Sequence, residues 1–484
     1  MSELIALDHL YAPSLYWFTY RYHSGLIAAT DRTPSNPTLA DLSWVQQQYQ
    51  QVFSALGVEG ELGSTWQNYQ ESNKNCDLLK NPELESGRQY EDFAIPDKNL
   101  EGFIYPQSLH DAYGLNLNLY YPENPGGDRL PIAELNQFNP QACFKPPTTP
   151  PFGYLGQTLL LTAYLDIPRP ANLRDLEPSA HQCWQQFFKL ETLEPLPRLY
   201  RAAEFWGGYL YEYGNPEDDL TVNPYGHLMI WFFFDGNTSS ILERCYWELP
   251  ELLLYYHKIA WSFCESRHDY EKADQIVNQN ESKLETFNTQ YLQNQDNAVL
   301  TATEITELKI TLKSLLKTSL SYSQQLRNLE YARNTIAINH RNYLAILDQM
   351  EQLAQTPLEA LRVFGEKEAV TFQDQITADL NYFRHGSGLL DTAIASIRGL
   401  VEIDQAERDR HLQDEIQAIG VGIATGAILA SSAGLLTQRW HWPSRDRLLP
   451  PHPFLIAVLG SSVIALLTWR WMKHILNQRR CLKR

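Results

Sequence analysis

The chain has 484 residues, of which 44% are hydrophobic and 20% charged, and these proportions exclude a wholly disordered protein. Its net charge is −18, from 39 basic and 57 acidic residues. The charge is unevenly distributed, because residues 437–484 hold nine basic residues and only one acid, Asp446. An acidic body repels phosphate, so nucleic acid is not expected as a partner.

The six cysteines are widely spaced. The closest pair, Cys245 and Cys264, is 19 residues apart, and no Cys-x-x-Cys occurs. This spacing predicts reduced thiols rather than a disulfide framework or a zinc ribbon. Residues 1–5 lack a basic region followed by an apolar core, so no secretory signal is predicted. We therefore expect the bulk of the chain in the cytosol, without a cofactor.

Residues 1–265 predict a cytosolic α/β or α+β domain, with a sub-boundary at the proline-rich residues 140–152. Period-two alternation and short β-rich runs indicate strands at 115–120, 158–165, 208–213 and 227–234. Helices are expected over 42–56 and 180–190, and a further one is expected to begin near Pro250. Asp235, Gly236 and Asn237 are typical of a turn.

No known catalytic motif stands out in this domain, so we expect no enzymatic activity. Glu217, Asp218 and Asp219 form an acidic turn, which is either solvated or a site for a divalent cation. His181 and Cys183 lack a second ligand pair nearby and do not predict zinc. Whether any residue binds a metal is left open by the sequence.

Residues 266–356 predict a helical coiled-coil segment. Apolar residues recur at alternating steps of three and four over 305–350, which is typical of a heptad seam. His340 in this seam either sets the register or acts as a pH switch or ligand. Pro357 should break the helix, and a stalk helix is expected over 357–415. The two helices are expected to form an antiparallel hairpin or an oligomeric bundle.

Two uncharged segments near the C-terminus predict transmembrane helices at 416–438 and 453–472. They would be joined by a short outer loop, 439–452, and followed by a basic cytosolic tail, 473–484. Basic residues are concentrated after the second segment and before the first, which predicts both termini in the cytosol. The sequence thus predicts an integral protein of the plasma or inner membrane, with the lipid bilayer as a partner.

Small residues repeat every four positions in both predicted spans. Such stripes let helix backbones approach closely in lipid, either within one chain or between copies, and we expect a homo-oligomer. The residues expected to pack in this way are Gly422, Gly426, Ala430, Gly434, Ala457, Ser461 and Ala465.

The order of these parts resembles the CorA-type divalent-cation transporter superfamily, which joins a cytosolic α/β domain and a long stalk helix to two C-terminal spans. The family's Gly-Met-Asn signature is absent, since residues 434–440 read Gly-Leu-Leu-Thr-Gln-Arg-Trp. The predicted outer loop also contains Arg439, Arg445 and Arg447, whereas an acidic loop would attract cations. The resemblance therefore implies architecture and oligomerisation, and no pore residues.

Three functions are compatible with the sequence. The first is a membrane-anchored coiled-coil protein whose cytosolic domain binds a protein partner or a small ligand. The second is a CorA-like oligomeric channel or ion transporter. The third is an enzyme or a ligand-switched membrane effector controlled from the N-terminal domain.

Overall fold

The computed structural model describes residues 5–23, 39–58, 63–67, 75–84, 87–122, 129–190, 196–287, 289, 301–433 and 453–481. The chain divides into two compact units. Unit 1 consists of Met1–Gln275 and Tyr322–Arg384, and unit 2 of Ile276–Ser321 and His385–Arg484. Unit 1 contains all the described strands, whereas the described part of unit 2 is helical.

Thirteen strands occur in the described part of unit 1. They are β1 (His9–Tyr22), β2 (Thr65–Trp66), β3 (Cys76–Asp77), β4 (Leu79–Lys80), β5 (Glu91–Ile95), β6 (Leu100–Ile104), β7 (Gln107–Leu109), β8 (Ala112–Tyr120), β9 (Arg129–Pro131), β10 (Tyr154–Tyr164), β11 (Leu199–Phe205), β12 (Gly208–Tyr213) and β13 (His227–Phe233).

Eleven of these strands form one large sheet, whose main path runs β11-β12-β13-β10-β1-β8-β6-β5. β9 adds to β1, and β7 joins β8 to β3, while β2 and β4 pair separately. Between the described strands, only β10 and β13 pair in parallel. The sequence left α/β and α+β open, and a mostly antiparallel sheet corresponds to α+β.

The central strand β1 lies between β8 and β10 and is covered on both faces. Leu15 points into the main core on one face. Tyr16 and Tyr20 point to the other face, where their rings meet those of Tyr246 and His257 at 5.5 and 5.6 Å. Because successive strand residues alternate in direction, β1 packs against two different layers. The second layer includes the helix that carries His257.

Eight α-helices are described. They are α1 (Leu39–Leu56), α2 (Glu177–Phe188), α3 (Gly236–Cys245), α4 (Leu249–Phe287), α5 (Ala302–Ala354), α6 (Glu359–Val363), α7 (Ala369–Ala433) and α8 (Pro453–Cys481). A single π-helical turn, Phe364–Glu368, joins α6 to α7. The helices expected over 42–56, over 180–190 and from Pro250 correspond to α1, α2 and α4.

One predicted turn is instead the start of a helix. Asp235 is the N-cap of α3, and its side-chain oxygen accepts hydrogen bonds from the backbone N–H groups of Asn237 and Thr238. The prediction was wrong because aspartate followed by glycine suits a turn, while aspartate also satisfies the free N–H groups at a helix start.

The predicted heptad seam of α5 is packed along its whole length. The alternating steps of three and four from Ile305 to Met350 give fourteen seam positions, of which nine are buried and five are half-buried. Within unit 1, the Tyr343 ring meets the Phe364 ring at 5.3 Å, and the Tyr322 ring meets the Phe383 ring at 6.1 Å. These pairings run in opposite chain directions, so α5 and α7 are antiparallel there. In the described part of unit 2, five buried residues form a separate core: Phe287, Leu308, Leu315, Leu390 and Ile397.

The prediction of two transmembrane helices is wrong. Among the described residues, no helix combines the length and the hydrophobicity needed to cross a membrane. The expected segment 416–438 is uncharged, but its hydropathy is lowered by the strongly polar Gln417 and by small or weakly polar residues such as Gly420 and Thr425. A run without charge is therefore not equivalent to an apolar run. Residues 434–438 and the expected outer loop, 439–452, lie outside the described residues.

The predicted membrane topology and integral membrane localisation depended on those two spans, and they are corrected with them. The membrane anchor of the first hypothesis is overturned in the same way. The long helices themselves are present: α7 has 65 residues and α8 has 29.

The close packing of β6 on β8 provides a test of the sheet. A Cβ added at Gly102 would lie 2.3 Å from the Asn118 carbonyl oxygen and 2.8 Å from the Phe93 ring. We expect Gly102→Ala to lower the free energy of unfolding by about 1–3 kcal/mol, because backbone cannot move aside as a side chain can. Urea denaturation of the wild type and of Gly102→Ala measures this difference in the free energy of unfolding.

Gly236→Ala is the matched control, because nothing lies within 4 Å of its added Cβ at the start of α3. This variant should be as stable as the wild type or up to about 1 kcal/mol more stable. Equal stabilities for the two alanine variants would contradict the described packing of β6.

Candidate ligand cavity

Unit 1 contains a cavity with a volume of about 330 Å³. It lies where the start of β10, the loop between β12 and β13, and one face of α4 meet. The lining residues are Thr148, Pro150, Tyr154, Leu155, Gly156, Gln157, Gly214, Asn215, Pro216, Asp218, Asp219, Leu220, Thr221, Asn223, Gly226, His227, Tyr256, His257, Ala260, Trp261, Cys264, Glu265 and His268. Because ligand pockets usually measure roughly 300–1,000 Å³, this volume suits a small organic molecule.

The mouth of the cavity, which we define as the lining residues Asp218, Asp219, Glu265 and His268, is acidic and at least partly exposed. Burial raises the pKa of Glu265, and burial likewise raises that of Asp218, next to the charge of Asp219. The described lining residues include no lysine and no arginine. Three carboxyl groups and one imidazole therefore set the charge at the mouth.

Asp219 is held in place by its own loop. One carboxylate oxygen, Oδ1, accepts hydrogen bonds from the backbone N–H groups of Thr221 and Val222, at 2.8 and 3.2 Å, and from the Thr221 hydroxyl. Burial raises the pKa of Asp219, but these hydrogen bonds and nearby His268 outweigh burial and lower it. Asp219 thus presents a fixed negative charge whose Oδ2 lies 4.0 Å from His268 Nε2.

The floor of the cavity, which we define as His227, Tyr256 and His257, is buried. Thr158 lies behind it and joins the two imidazoles, since its hydroxyl is 3.0 Å from Nδ1 of His227 and 2.8 Å from Nε2 of His257. The His227 ring stacks on the Tyr256 ring at 4.5 Å. Burial, and then the neighbouring His227, hold the pKa of His257 well below 6.5. His257 is therefore uncharged at neutral pH.

A buried carboxylate continues this chain of hydrogen bonds away from the cavity. Nε2 of His227 donates to Glu212 at 2.9 Å, and Nε of Arg201 approaches the other Glu212 oxygen at 3.2 Å. Burial raises the pKa of Glu212, but His227 and Arg201 outweigh burial and lower it. The strand register produces this arrangement, because Arg201 is the cross-strand partner of Glu212 and Thr158 is that of His227.

Arg201 also links the sheet to the helices of unit 1. Its Nη1 donates to the carbonyl oxygen of Ala360 at 2.6 Å, and its Nη2 donates to Glu368 at 3.2 Å. The Tyr256 ring on the cavity floor contacts the Phe364 ring at 4.4 Å. The cavity floor is therefore connected to the π-helical turn in two ways. Tyr256 contacts Phe364 directly, and His227 is linked to Glu368 through Glu212 and Arg201. We call the linked side chains the relay: His257, Thr158, His227, Glu212, Arg201 and Glu368.

The small residues predicted to pack helices lie in unit 2, away from these residues in the sequence. A Cβ added at Gly422 would be 3.2 Å from the Ala465 carbonyl oxygen, and one at Gly426 would be 3.0 Å from the Ala465 Cβ and 3.6 Å from the Ser461 carbonyl oxygen. The structure thus brings these four residues together at the contact of α7 with α8. The side chains of Ala430 and Ala457, and all of Gly434, lie outside the described residues.

The other candidates from the sequence have different positions. The acidic turn lies at the cavity mouth through Asp218 and Asp219. Cys183 is buried in the main core, and His181 packs on the Tyr213 ring at 6.2 Å, so the two do not form a site. His340 is a half-buried residue of the α5 seam whose Nδ1 lies 3.3 Å from Nε2 of Gln373.

Sequence reasoning missed most of the relay. Its members come from different strands and helices, so no local spacing connects them. A usable signal existed in two buried strands: Glu212 interrupts the aromatic run of β12, and His227 opens the apolar run of β13. A charged or polar residue inside an otherwise apolar strand needs a buried partner. The cavity itself had no signal in the sequence.

Among the described residues, no three His, Cys, Asp or Glu side chains are grouped closely enough to hold a metal ion. No protein-family model matches the chain, and no curated protein matches it either. The resemblance to the CorA-type superfamily therefore stays a prediction.

The relay predicts that Arg201 is essential for stability. Arg201→Met would leave Glu212 without its cation in a buried site, and we expect the free energy of unfolding to fall by about 3–5 kcal/mol. Adding Glu212→Gln should recover part of this loss, because the uncompensated charge is removed. Urea denaturation of the single and double variants measures both effects.

Arg169→Met is the control, since Arg169 and Glu204 form an exposed pair at 2.7 Å that should contribute less than about 1 kcal/mol. Equal losses for Arg169→Met and Arg201→Met would contradict the assigned role of Glu212.

The lowered pKa of His257 predicts a pH dependence of stability. Below its ordinary value of 6.5 the unfolded chain binds a proton at this imidazole while the folded chain does not, so stability falls as the pH decreases from 6.5 toward the folded pKa. We expect His257→Gln to show a flatter pH profile than the wild type between pH 7 and 5. A wild-type slope in His257→Gln would refute the prediction.

Proposed function

We propose that unit 1 is a small-molecule-binding domain and that the cavity is its ligand site. The observation that carries this proposal is a cavity of about 330 Å³ with a buried floor of imidazoles and aromatic rings and an exposed acidic mouth. A concave apolar site with a few converging polar groups is the usual form of a ligand pocket.

The chemistry of the wall favours binding over nucleophilic catalysis. Burial raises the pKa of the Cys264 thiol to about 12, so this sulfur is protonated and a weak nucleophile at neutral pH. Thr158 contacts His227, which contacts Glu212, in the same order as the nucleophile, the base and the orienting acid of a catalytic triad. The Thr158 hydroxyl, however, lies behind the cavity floor, is completely buried and contacts both imidazoles. These features support the ligand-binding part of the first sequence-based hypothesis.

The CorA-like channel or ion transporter also stays a prediction from the sequence. A homo-oligomer and a protein partner remain predictions from the sequence.

The cavity can be tested with three probes that share a hydroxyphenyl body: tyramine, 4-ethylphenol and 3-(4-hydroxyphenyl)propionate, which are cationic, neutral and anionic. At least one should bind saturably to the wild type in calorimetric titration. Ala260→Phe places a ring on a lining residue, so it should reduce that binding at least tenfold.

Ala133→Phe is the matched control, because Ala133 is exposed on the sheet domain and does not line the cavity. It should bind like the wild type. If none of the three probes binds, or if Ala260→Phe binds as tightly as the wild type, the proposed function is refuted.

A further inference from the structure

The hydrogen atoms of the relay can be assigned by counting donors and acceptors. The Glu212 carboxylate only accepts, so His227 must carry its proton on Nε2. We assign one proton to each imidazole. Nδ1 of His227 is then an acceptor, and the Thr158 hydroxyl must donate to it.

The same count fixes the state of His257. The Thr158 oxygen has given its hydrogen to His227, so it accepts from Nε2–H of His257 at 2.8 Å. Since His257 is uncharged, its other nitrogen, Nδ1, carries a lone pair and no hydrogen. The charge on Glu212 therefore orients every hydrogen bond from the sheet to the cavity floor.

Nδ1 of His257 is left uncovered for a ligand. His257 is 5% exposed, lines the cavity, and has no hydrogen-bond partner at Nδ1 among the described residues. Gly156, another lining residue, lies against this nitrogen: an added Cβ there would be 2.6 Å from Nδ1. An acceptor without a protein partner, in a side chain that is nearly buried, leaves one hydrogen bond for a ligand to complete.

The floor and the mouth require different donors. A charged group is costly to bury at the floor, where a neutral hydroxyl or amide N–H would satisfy Nδ1 at lower cost. At the mouth, the carboxyl groups of Asp219 and Glu265 are partly hydrated and favour a cation. Tyr256 of the floor and Trp261, another lining residue, provide aromatic surface, and rings of this kind also attract cations.

We propose that the cavity binds a small organic amine in its protonated form, with a neutral hydrogen-bond donor at the opposite end of an apolar or aromatic body. The ammonium lies at the mouth, against Glu265 and Asp219, and the neutral donor binds Nδ1 of His257. This assignment rests on the proposed function of the cavity and specifies its ligand class.

Calorimetric titration of the full chain with tyramine tests the ammonium end. Tyramine should bind at least about tenfold more tightly than 4-ethylphenol, which lacks the charge, and 3-(4-hydroxyphenyl)propionate should bind most weakly. Glu265→Gln should weaken tyramine binding about tenfold and so remove the preference of the wild type for tyramine over 4-ethylphenol. Glu265 makes no hydrogen bond within the described residues, so this variant should fold normally.

Phenethylamine tests the floor, because it lacks only the hydroxyl of tyramine. The wild type should prefer tyramine about tenfold, and His257→Phe should abolish this preference. Should His257→Phe fail to fold, the comparison of the two amines with the wild type alone still decides the matter.

The outcomes separate this inference from the proposed function. If 4-ethylphenol binds in the cavity, with Ala260→Phe sensitivity, and tyramine binds no more tightly, the ligand class is wrong and the cavity function stands. If tyramine and phenethylamine bind the wild type equally, the donor at the floor is wrong. If no probe binds, both proposals fall together.

Discussion

The negative charge of Glu212 is the constraint on which unit 1 depends most. This side chain is buried in β12, and a buried carboxylate without partners costs several kcal/mol. Compensation comes from the strand on either side, as the cation of Arg201 on β11 and the Nε2–H donor of His227 on β13. Strand register is thereby specified by charge as well as by apolar packing. If β11 or β13 slipped by one residue relative to β12, its Arg201 or His227 side chain would point to the opposite face of the sheet, away from Glu212.

The same compensation joins the sheet to the helices. Arg201 has more donors than Glu212 can use, and the remaining ones bind Ala360 and Glu368 at the turn between α6 and α7. Planar guanidinium groups suit such a shared site, which a lysine could not reproduce. The turn is π-helical, a local form that occurs often at functional sites. The position of this turn is thus tied to the cavity floor through the relay.

Local periodicity predicted the regular elements well. The seam of α5 follows from heptad spacing, and α4 begins at Leu249, one residue before the proline that marks a helix start. The cap at Asp235 was misread because one residue type serves turns and helix starts alike. The membrane spans were wrong because the absence of charge was taken as a measure of hydrophobicity. Each of these interpretations used a window of consecutive residues.

The cavity could not be predicted in that way, because its chemistry depends on contacts between distant segments. Thr158 and His257 are 99 residues apart in the chain, and they meet because α4 packs on the same face of the sheet. The acidic turn was visible in the sequence, but its position at the mouth followed only from the fold.

The cavity also shows how a distant charge can set the specificity of a neutral site. His257 presents an acceptor, rather than a donor, because Glu212 accepts the Nε2 hydrogen of His227. Thr158 then donates to Nδ1 of His227 and accepts from Nε2–H of His257, which leaves Nδ1 of His257 without a hydrogen. Nothing at the cavity wall would reveal this polarity if the strands behind it were ignored. A carboxylate held by strand pairing, outside the cavity, thus determines which end of a ligand the floor accepts. The direction of the hydrogen bonds at His257 is thus set by paired strands of the sheet, and not by His257 alone.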